Sequence, residues 1–397
     1  MCKKDNRSYI MTLTEKKHEF FKWAYGLFIH YGTYSTLGRG EWALFHERMT
    51  PEEYFAQTLP GFKPKKGCAK EWIQLAVRGG MKYAVLTTRH HEGYFIGDEL
   101  LKEFVEACRE NGLGVGFYYS VADWSDPGYC AGPADKEGWE KFVVRTHKQI
   151  KEIMSNYGKI DYLFYDGCPP PATWRLQELH KEIRAMQPEM LICRCTEDTD
   201  LKSCEGHSNG SPDNLWESCY TLNDSWGYVI SDNNWKSPER IINMLTTNRH
   251  NGGNLLLNVG PMADGTVQQE AIDIISKVGD WLKVHGEAVY DIVPHPFAYH
   301  DQRISTGKGT TAYIRINRWH GNTELTTGIG NKVKSITLME NGQPMPYKQE
   351  GEKLWIDFTG FENNRPYPYY LKLELDGEPI GIPNPKRPNC NIKTTGE

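Results

Sequence analysis

The 397-residue chain has no apolar run long enough to cross a membrane, no C-x-x-C pair, no internal repeat and no low-complexity tract. Without closely spaced cysteines a structural zinc site or a redox dithiol is not indicated, and the ten scattered cysteines are expected to be reduced packing residues. The opening MCKKDNRSYIMTLTEKKHEF carries basic residues but no apolar core, so no export signal is visible and a cytoplasmic location is expected. A formal net charge of −5 gives no electrostatic reason to expect nucleic acid or an anionic membrane as partner. What the chain does have is aromatic residues, with 12 Trp and 22 Tyr, side chains that often line sites for sugars and other ligands with flat apolar faces.

From residue 19 to about 295, amphipathic helical segments alternate with short β-branched or aromatic runs, the pattern of βα units around a parallel sheet. The runs read YGLFIHYG (25 to 32), KYAVLTTRHH (82 to 91), GVGFYYS (114 to 120), IDYLFYDG (160 to 167), EMLICR (189 to 194) and NLLLNVGP (254 to 261). Each is apolar and then ends in polar residues: His30, His90 with His91, Tyr118 with Tyr119, Asp166, Arg194 and Asn258. A (β/α)8-like barrel, regular or irregular, gathers such strand ends at one mouth. Gly167 lets the chain turn directly behind Asp166. Beyond Pro294 the helical period gives way to short alternating strands, with Asn341-Gly342 as a tight turn. The domains expected are therefore a catalytic barrel over residues 1–295 and an antiparallel β-sandwich over 296–397, with a loosely ordered Pro-rich tail from about 380.

The mouth would hold Asp166, three histidines, Arg194 and tyrosines, with further acids at Glu41 and Glu205. Paired carboxylates among histidines and aromatics suit glycoside hydrolysis, in which one carboxylate attacks the anomeric carbon and a second, protonated one serves the leaving oxygen. A metal-dependent hydrolase using His30, His90 and His91 is the competing reading. It fits less well, because the first strand offers one His rather than a closely spaced pair.

In order along the chain, WAYGLFIHYGTYS with GEW, GMKYAVLTTRHHEGY, GVGFYYSVADW, the strand ending YDG, WESC with SWGY, and GGNLLLNVGPMADG with WLKVHGEAVY resemble the glycoside hydrolase family 29 α-L-fucosidases over roughly residues 19–292. The resemblance implies a barrel followed by a β-sandwich, and a retaining exo-hydrolase of terminal α-L-fucose with no metal or organic cofactor. Its partner would be a fucosylated oligosaccharide or glycoconjugate, and homo-oligomerisation is left open. Residue by residue, Asp166 matches the nucleophile. His30, His90, His91, Glu41 and Trp42 match residues that bind fucose hydroxyls and pack on its methyl, and Tyr119 and Arg194 match further sugar contacts. Asp200 and Glu205 fit the spacing of the loop that carries the acid/base, which implies Glu205, with Glu217 of WESC as the alternative. Two departures stand out. Phe164 replaces a Trp common two positions before the nucleophile, and the loop after His91 is shorter than usual by something over ten residues. That deletion keeps a non-catalytic fucose-binding protein in view as an alternative. The preferred fucosyl linkage is not legible, since loops build the leaving-group side.

Overall fold

The computed structural model describes residues 13–194, 198–208, 210, 214–297, 304–316, 321–361 and 368–382. The tail from 383 to 397 and the first twelve residues, on which the localisation reading partly rests, lie outside them. The chain divides into two compact units, Met1–Lys283 and Val284–Glu397.

The first unit is built on eight parallel strands among the described residues: β1 (Tyr25–Ile29), β2 (Tyr83–Arg89), β3 (Gly114–Ser120), β4 (Tyr162–Asp166), β5 (Leu191–Cys193), β6 (Lys202–Glu205), β7 (Trp216–Thr221) and β8 (Gly253–Val259). Their order, β5-β4-β3-β2-β1-β8-β7-β6, is that of a barrel. Among the described residues the ends meet through one parallel bridge, Cys193 to Leu201. There Asp200 acts as a brace: its backbone N–H donates to Ile192 O, its carboxylate accepts from Ile192 N at 2.8 Å, and Arg184 clasps the same carboxylate.

β1, β2, β3 and β8 are buried along their whole length because the barrel interior covers one face and helices the other, which is why they read as continuous apolar runs. The helix Asp98–Glu110 shows the matching pattern, burying Leu101, Phe104, Val105, Ala107 and Cys108. Inside the barrel Phe20, Phe28, Tyr83, Tyr118, Tyr162, Phe164 and Leu256 share one core. Gly26 is needed in that core, since a Cβ there would lie 2.4 Å from the Tyr83 ring.

Two strands escape a pattern-based reading. β6 has only one buried residue, Cys204, and β7 buries Glu217 and Ser218 completely, so neither shows apolar alternation. The acid/base segment expected as loop is thus a strand, and it puts Glu205 at a strand end.

The second unit has two antiparallel sheets. One runs β13 (Val333–Leu338), β16 (Tyr369–Leu375), β11 (Thr311–Ile316), β10 (Ile304–Lys308), β9 (Val293–Pro294); the other runs β12 (Thr323–Thr326), β15 (Lys353–Asp357), β14 (Tyr347–Glu350). Their apolar faces share one core, with Ile314, Ile336, Leu371 and Leu373 from the first sheet and Leu354 and Ile356 from the second. The turn at Asn341-Gly342 is closed by Leu338 N donating to Gln343 O, and Gly342 takes a φ of +70°.

Candidate active site

A cavity of about 330 Å³ opens at the C-terminal ends of the strands, at the low end of the ~300–1,000 Å³ usual for small-molecule sites. Of the residues nominated from sequence, His30, Trp42, His90, His91, Asp166, Arg194 and Glu205 line it. Phe28, Tyr118, Phe164, Gly167, Cys219 and Trp226 complete the lining.

Asp166 ends β4, and Gly167 then turns away at a φ of +58°, where a Cβ would lie 2.6 Å from that of Ala122. The carboxylate accepts from Tyr118 Oη at 3.0 Å and from Gly167 N at 2.9 Å. Arg194 Nη2 stands 3.6 Å and His91 Nε2 3.7 Å from it. Burial is the largest influence on its pKa and pushes it up, but the Arg194 charge, first among the opposing influences, and the Tyr118 hydroxyl hold it below the ordinary aspartate value. Asp166 is therefore an ionised, donor-held carboxylate facing a cavity.

Arg194 joins the two candidate carboxylates. Immediately after β5 it adopts a left-handed φ of +59°, which turns its side chain across Phe164, the guanidinium lying 5.3 Å from that ring. Nη1 donates to Glu205 Oε2 at 3.0 Å while Nη2 faces Asp166. Both carboxylates thus sit within the span of one planar fork.

Two of the histidines, His91 and His30, have defined tautomers. Ser120 Oγ donates its one proton to Ala122 O, so at 2.6 Å it must accept from His91 Nδ1–H. Asn258 Nδ2 donates to Trp226 O, so its Oδ1 accepts from His30 Nδ1–H at 2.6 Å. In the neutral rings Nε2 of both residues is then an acceptor, suited to receive a ligand hydroxyl. Burial, first among the causes, pushes the His91 pKa down to about 3 and holds His30 and His90 below the ordinary value, so all three are neutral near pH 7. His90 Nδ1 lies 3.6 Å from Glu92, a fully buried carboxyl that burial pushes up to about 8. Among the described residues no group of three or more His, Cys, Asp or Glu is arranged to hold a metal ion.

Three nominated residues are not brought to the cavity. Glu41 stands behind its wall and accepts from Gly227 N at 2.7 Å, fixing the loop that carries Trp226. Tyr119 points the other way. Successive strand side chains alternate faces, and in register Tyr118 pairs with Phe164 and Ser120 with Asp166, whereas Tyr119 pairs with outward-facing Tyr165. The Tyr119 hydroxyl donates to Gln149 Oε1 at 2.7 Å on the helix Lys136–Ser155, so the tyrosine that serves the site is Tyr118. Counting parity from Asp166 would have found it. Glu217 shares a face with Cys219 but lies two residues deeper, about 6.6 Å along the strand. Tyr162 Oη at 2.5 Å and Tyr83 Oη at 2.7 Å donate to its carboxyl, and burial pushes its pKa up to about 7. Trp226 was not nominated for the site, although it falls in the quoted SWGY motif, whereas Asn258 was placed at the mouth as a strand end without a role, and it serves by orienting His30.

The thiol expectation needs one correction. Cys68, Cys108, Cys130, Cys193, Cys204 and Cys219 are free, but Cys168, next after Gly167, is disulfide-bonded.

A family model described as alpha-L-fucosidase matches residues 3–287. Human tissue alpha-L-fucosidase is 28% identical over 375 residues, covering 79% of each chain, and the alpha-L-fucosidase of Dictyostelium discoideum is 26% identical over 424 residues, covering 88% of this chain and 90% of that one. Among solved structures, alpha-L-fucosidase isoenzyme 1 from Paenibacillus thiaminolyticus superposes with a TM-score of 0.83 at 29% identity, covering 92% of this chain and all of the other. A family 29 alpha-L-fucosidase from Bacteroides thetaiotaomicron, solved as a trapped covalent intermediate, has the same fold, with a TM-score of 0.82 at 23% identity over 93% of this chain and 98% of that one.

Proposed function

The chain belongs to the α-L-fucosidase family, and from that premise we propose how its own residues release fucose. It is a retaining exo-α-L-fucosidase that hydrolyses terminal α-L-fucosyl residues of fucosylated glycans by double displacement. Asp166 is the nucleophile and Glu205 the acid/base. In the first step an Asp166 oxygen bonds the anomeric carbon as the glycosidic bond breaks, and Glu205 gives its proton to the leaving oxygen. In the second, Glu205 takes a proton from water, which attacks the same carbon and returns Asp166 as carboxylate.

The observation that carries this assignment is the Arg194 fork between the two carboxylates. While Asp166 is ionised, both compete for one guanidinium. The fork holds Glu205 on the same side of the cavity as Asp166, within reach of an oxygen leaving the carbon that Asp166 attacks. Tyr118 keeps its proton, since burial and the Asp166 charge raise its pKa well above the ordinary value, and it holds the nucleophile in position. His30 and His91 accept fucose hydroxyls at Nε2. His90 and Trp42 bind beside them, with Phe28, Phe164 and Trp226 as the apolar wall for the sugar's methyl and ring carbons.

The test is Asp166→Gly with added azide. Turnover should fall by about three orders of magnitude or more while the fold persists. Azide, entering the vacated space, should restore part of the rate and yield fucosyl azide of inverted configuration. A product of retained configuration would remove Asp166 from the nucleophile's role.

A further inference from the structure

Beside the cavity, packed on Trp42 and His91 of its lining, stand three rings that the hydrolytic steps do not use, those of Phe45, His46 and Trp124. Phe45 is 60% exposed, and its ring lies 5.8 Å from Trp42, edge on, and 5.4 Å from Trp124. Trp124 is 4.8 Å from Trp42 and 5.0 Å from His91, and His46 stacks on Trp42 at 5.6 Å. Trp42 and His91 belong to the cavity lining, so the group is continuous with it.

Both segments carrying these rings are fixed. Asp123 and Arg89 are fully buried and ion-paired at 3.3 Å; Asp123 also accepts from Arg145 at 2.6 Å and from Ser125 Oγ at 2.7 Å, and Trp124 N donates to His91 O. On the other side Arg39 pairs in bidentate fashion with Glu47, Gly40 N donates to Tyr228 O of the neighbouring loop, and Ile230 N of that loop donates back to Gly38 O. Ile230 in that loop is 71% exposed. The connection after His91 runs only from Glu92 to Gly97 before the helix Asp98–Glu110 begins, with Ile96 N turned back onto Thr88 O.

We propose that Phe45, backed by Trp124 and Trp42, is a stacking position for a sugar ring of the leaving glycan. The occupant follows from continuity: the cavity takes one terminal sugar, and the rest of the glycan leaves through the mouth where these rings stand. A pyranose offers an apolar C–H face to such a ring, and a rigid, already exposed aromatic binds it with little loss of side-chain freedom. This rests on the α-L-fucosidase reading.

The test compares Phe45→Ala with the unaltered enzyme on α-L-fucosyl fluoride, whose leaving group is a single atom, and on the best substrate among α-1,2-, α-1,3-, α-1,4- and α-1,6-fucosylated oligosaccharides. The expected result is a fall of about five- to tenfold in kcat/KM on the oligosaccharide, the worth of one stacked ring. The fluoride rate should stay within about twofold, and Phe45→Trp should restore the oligosaccharide rate. Equal losses on both substrates would make Phe45 a mere support for Trp42, and no loss on the oligosaccharide would leave the rings without this role; either overturns the proposal. An unaltered enzyme inert toward fucosyl fluoride would instead overturn the fucosidase reading, and this one with it.

Discussion

Glu217→Gln separates a buried structural carboxyl from a catalytic one. Glu217 is completely buried, accepts from Tyr83 and Tyr162, and has its pKa pushed from 4.5 to about 7. The folded protein therefore holds this proton more tightly than the unfolded chain does. That contribution to stability is fully present below the ordinary glutamate pKa and is lost as pH rises through about 7. At about 1.36 kcal/mol per pKa unit, the loss between pH 5 and 8.5 is about 2.5 kcal/mol. The glutamine variant cannot lose it. Whatever constant offset comes from the amide NH2 facing a tyrosine hydroxyl, the stability difference between variant and unaltered enzyme should move by about 2.5 kcal/mol in favour of the variant over that range. Denaturant unfolding followed at pH 5, 7 and 8.5 measures it, and two parallel curves would refute the placement of a titrating carboxyl beneath the site. The kinetic half uses aryl fucosides of graded leaving-group pKa. Glu205→Gln should slow poor leaving groups far more than good ones, whereas Glu217→Gln should leave the ranking unchanged. A flat series for Glu205→Gln with a steep one for Glu217→Gln would exchange the two roles.

Tyr118→Phe removes a donor to Asp166 and should lower kcat about tenfold or more, while Tyr119→Phe, whose hydroxyl meets Gln149 outside the cavity, should stay within about twofold; steady-state kinetics on one aryl fucoside compares them. Because burial holds the three histidines neutral and Asp166 is held below the ordinary aspartate value, the acid limb of kcat/KM should have its midpoint below about pH 4, and a midpoint near 6.5 would mean that a histidine titrates freely in the free enzyme. In a structure with a fucose analogue bound, the Asp166 and Glu205 carboxyls should stand about 5 to 5.5 Å apart, and a gap near 9 Å would favour an inverting enzyme.

How much could be read from the sequence depended on whether a residue's job also shapes a local pattern. β1, β2, β3 and β8 are buried on both faces, so their apolar runs announced them, and the polar residues terminating those runs marked the mouth. β6 and β7 gave no such signal. Of their buried polar residues, Glu217 faces the interior and meets Tyr83 and Tyr162 of other strands, while Ser218 faces outward and accepts from Asn248 of the helix Pro238–His250, and a one-dimensional pattern contains no record of those partners. Tyr119 was chosen over Tyr118 because adjacent identical residues look alike until the strand's parity is tied to Asp166. Trp226 reaches the cavity from a loop held by Glu41, and a contact spanning that much sequence cannot be inferred from either end alone.

The single bridge at the β5–β6 seam bears on how such an enzyme can diverge. β4, bearing Asp166, is locked in register by β3 on one side and β5 on the other, so an inserted or deleted residue there would turn the carboxylate away from the interior. Among the described residues β6, bearing Glu205, is paired along its length only with β7, and the seam to β5 rests on the Cys193–Leu201 bridge and on Asp200, whose carboxylate accepts from Ile192 N. Lineages descended from such a chain can lengthen, shorten or re-register that segment at small cost to folding. On the proposed assignment, the proton donor is then free to wander in sequence, adapting to new linkages, while the attacking carboxylate stays where the barrel holds it.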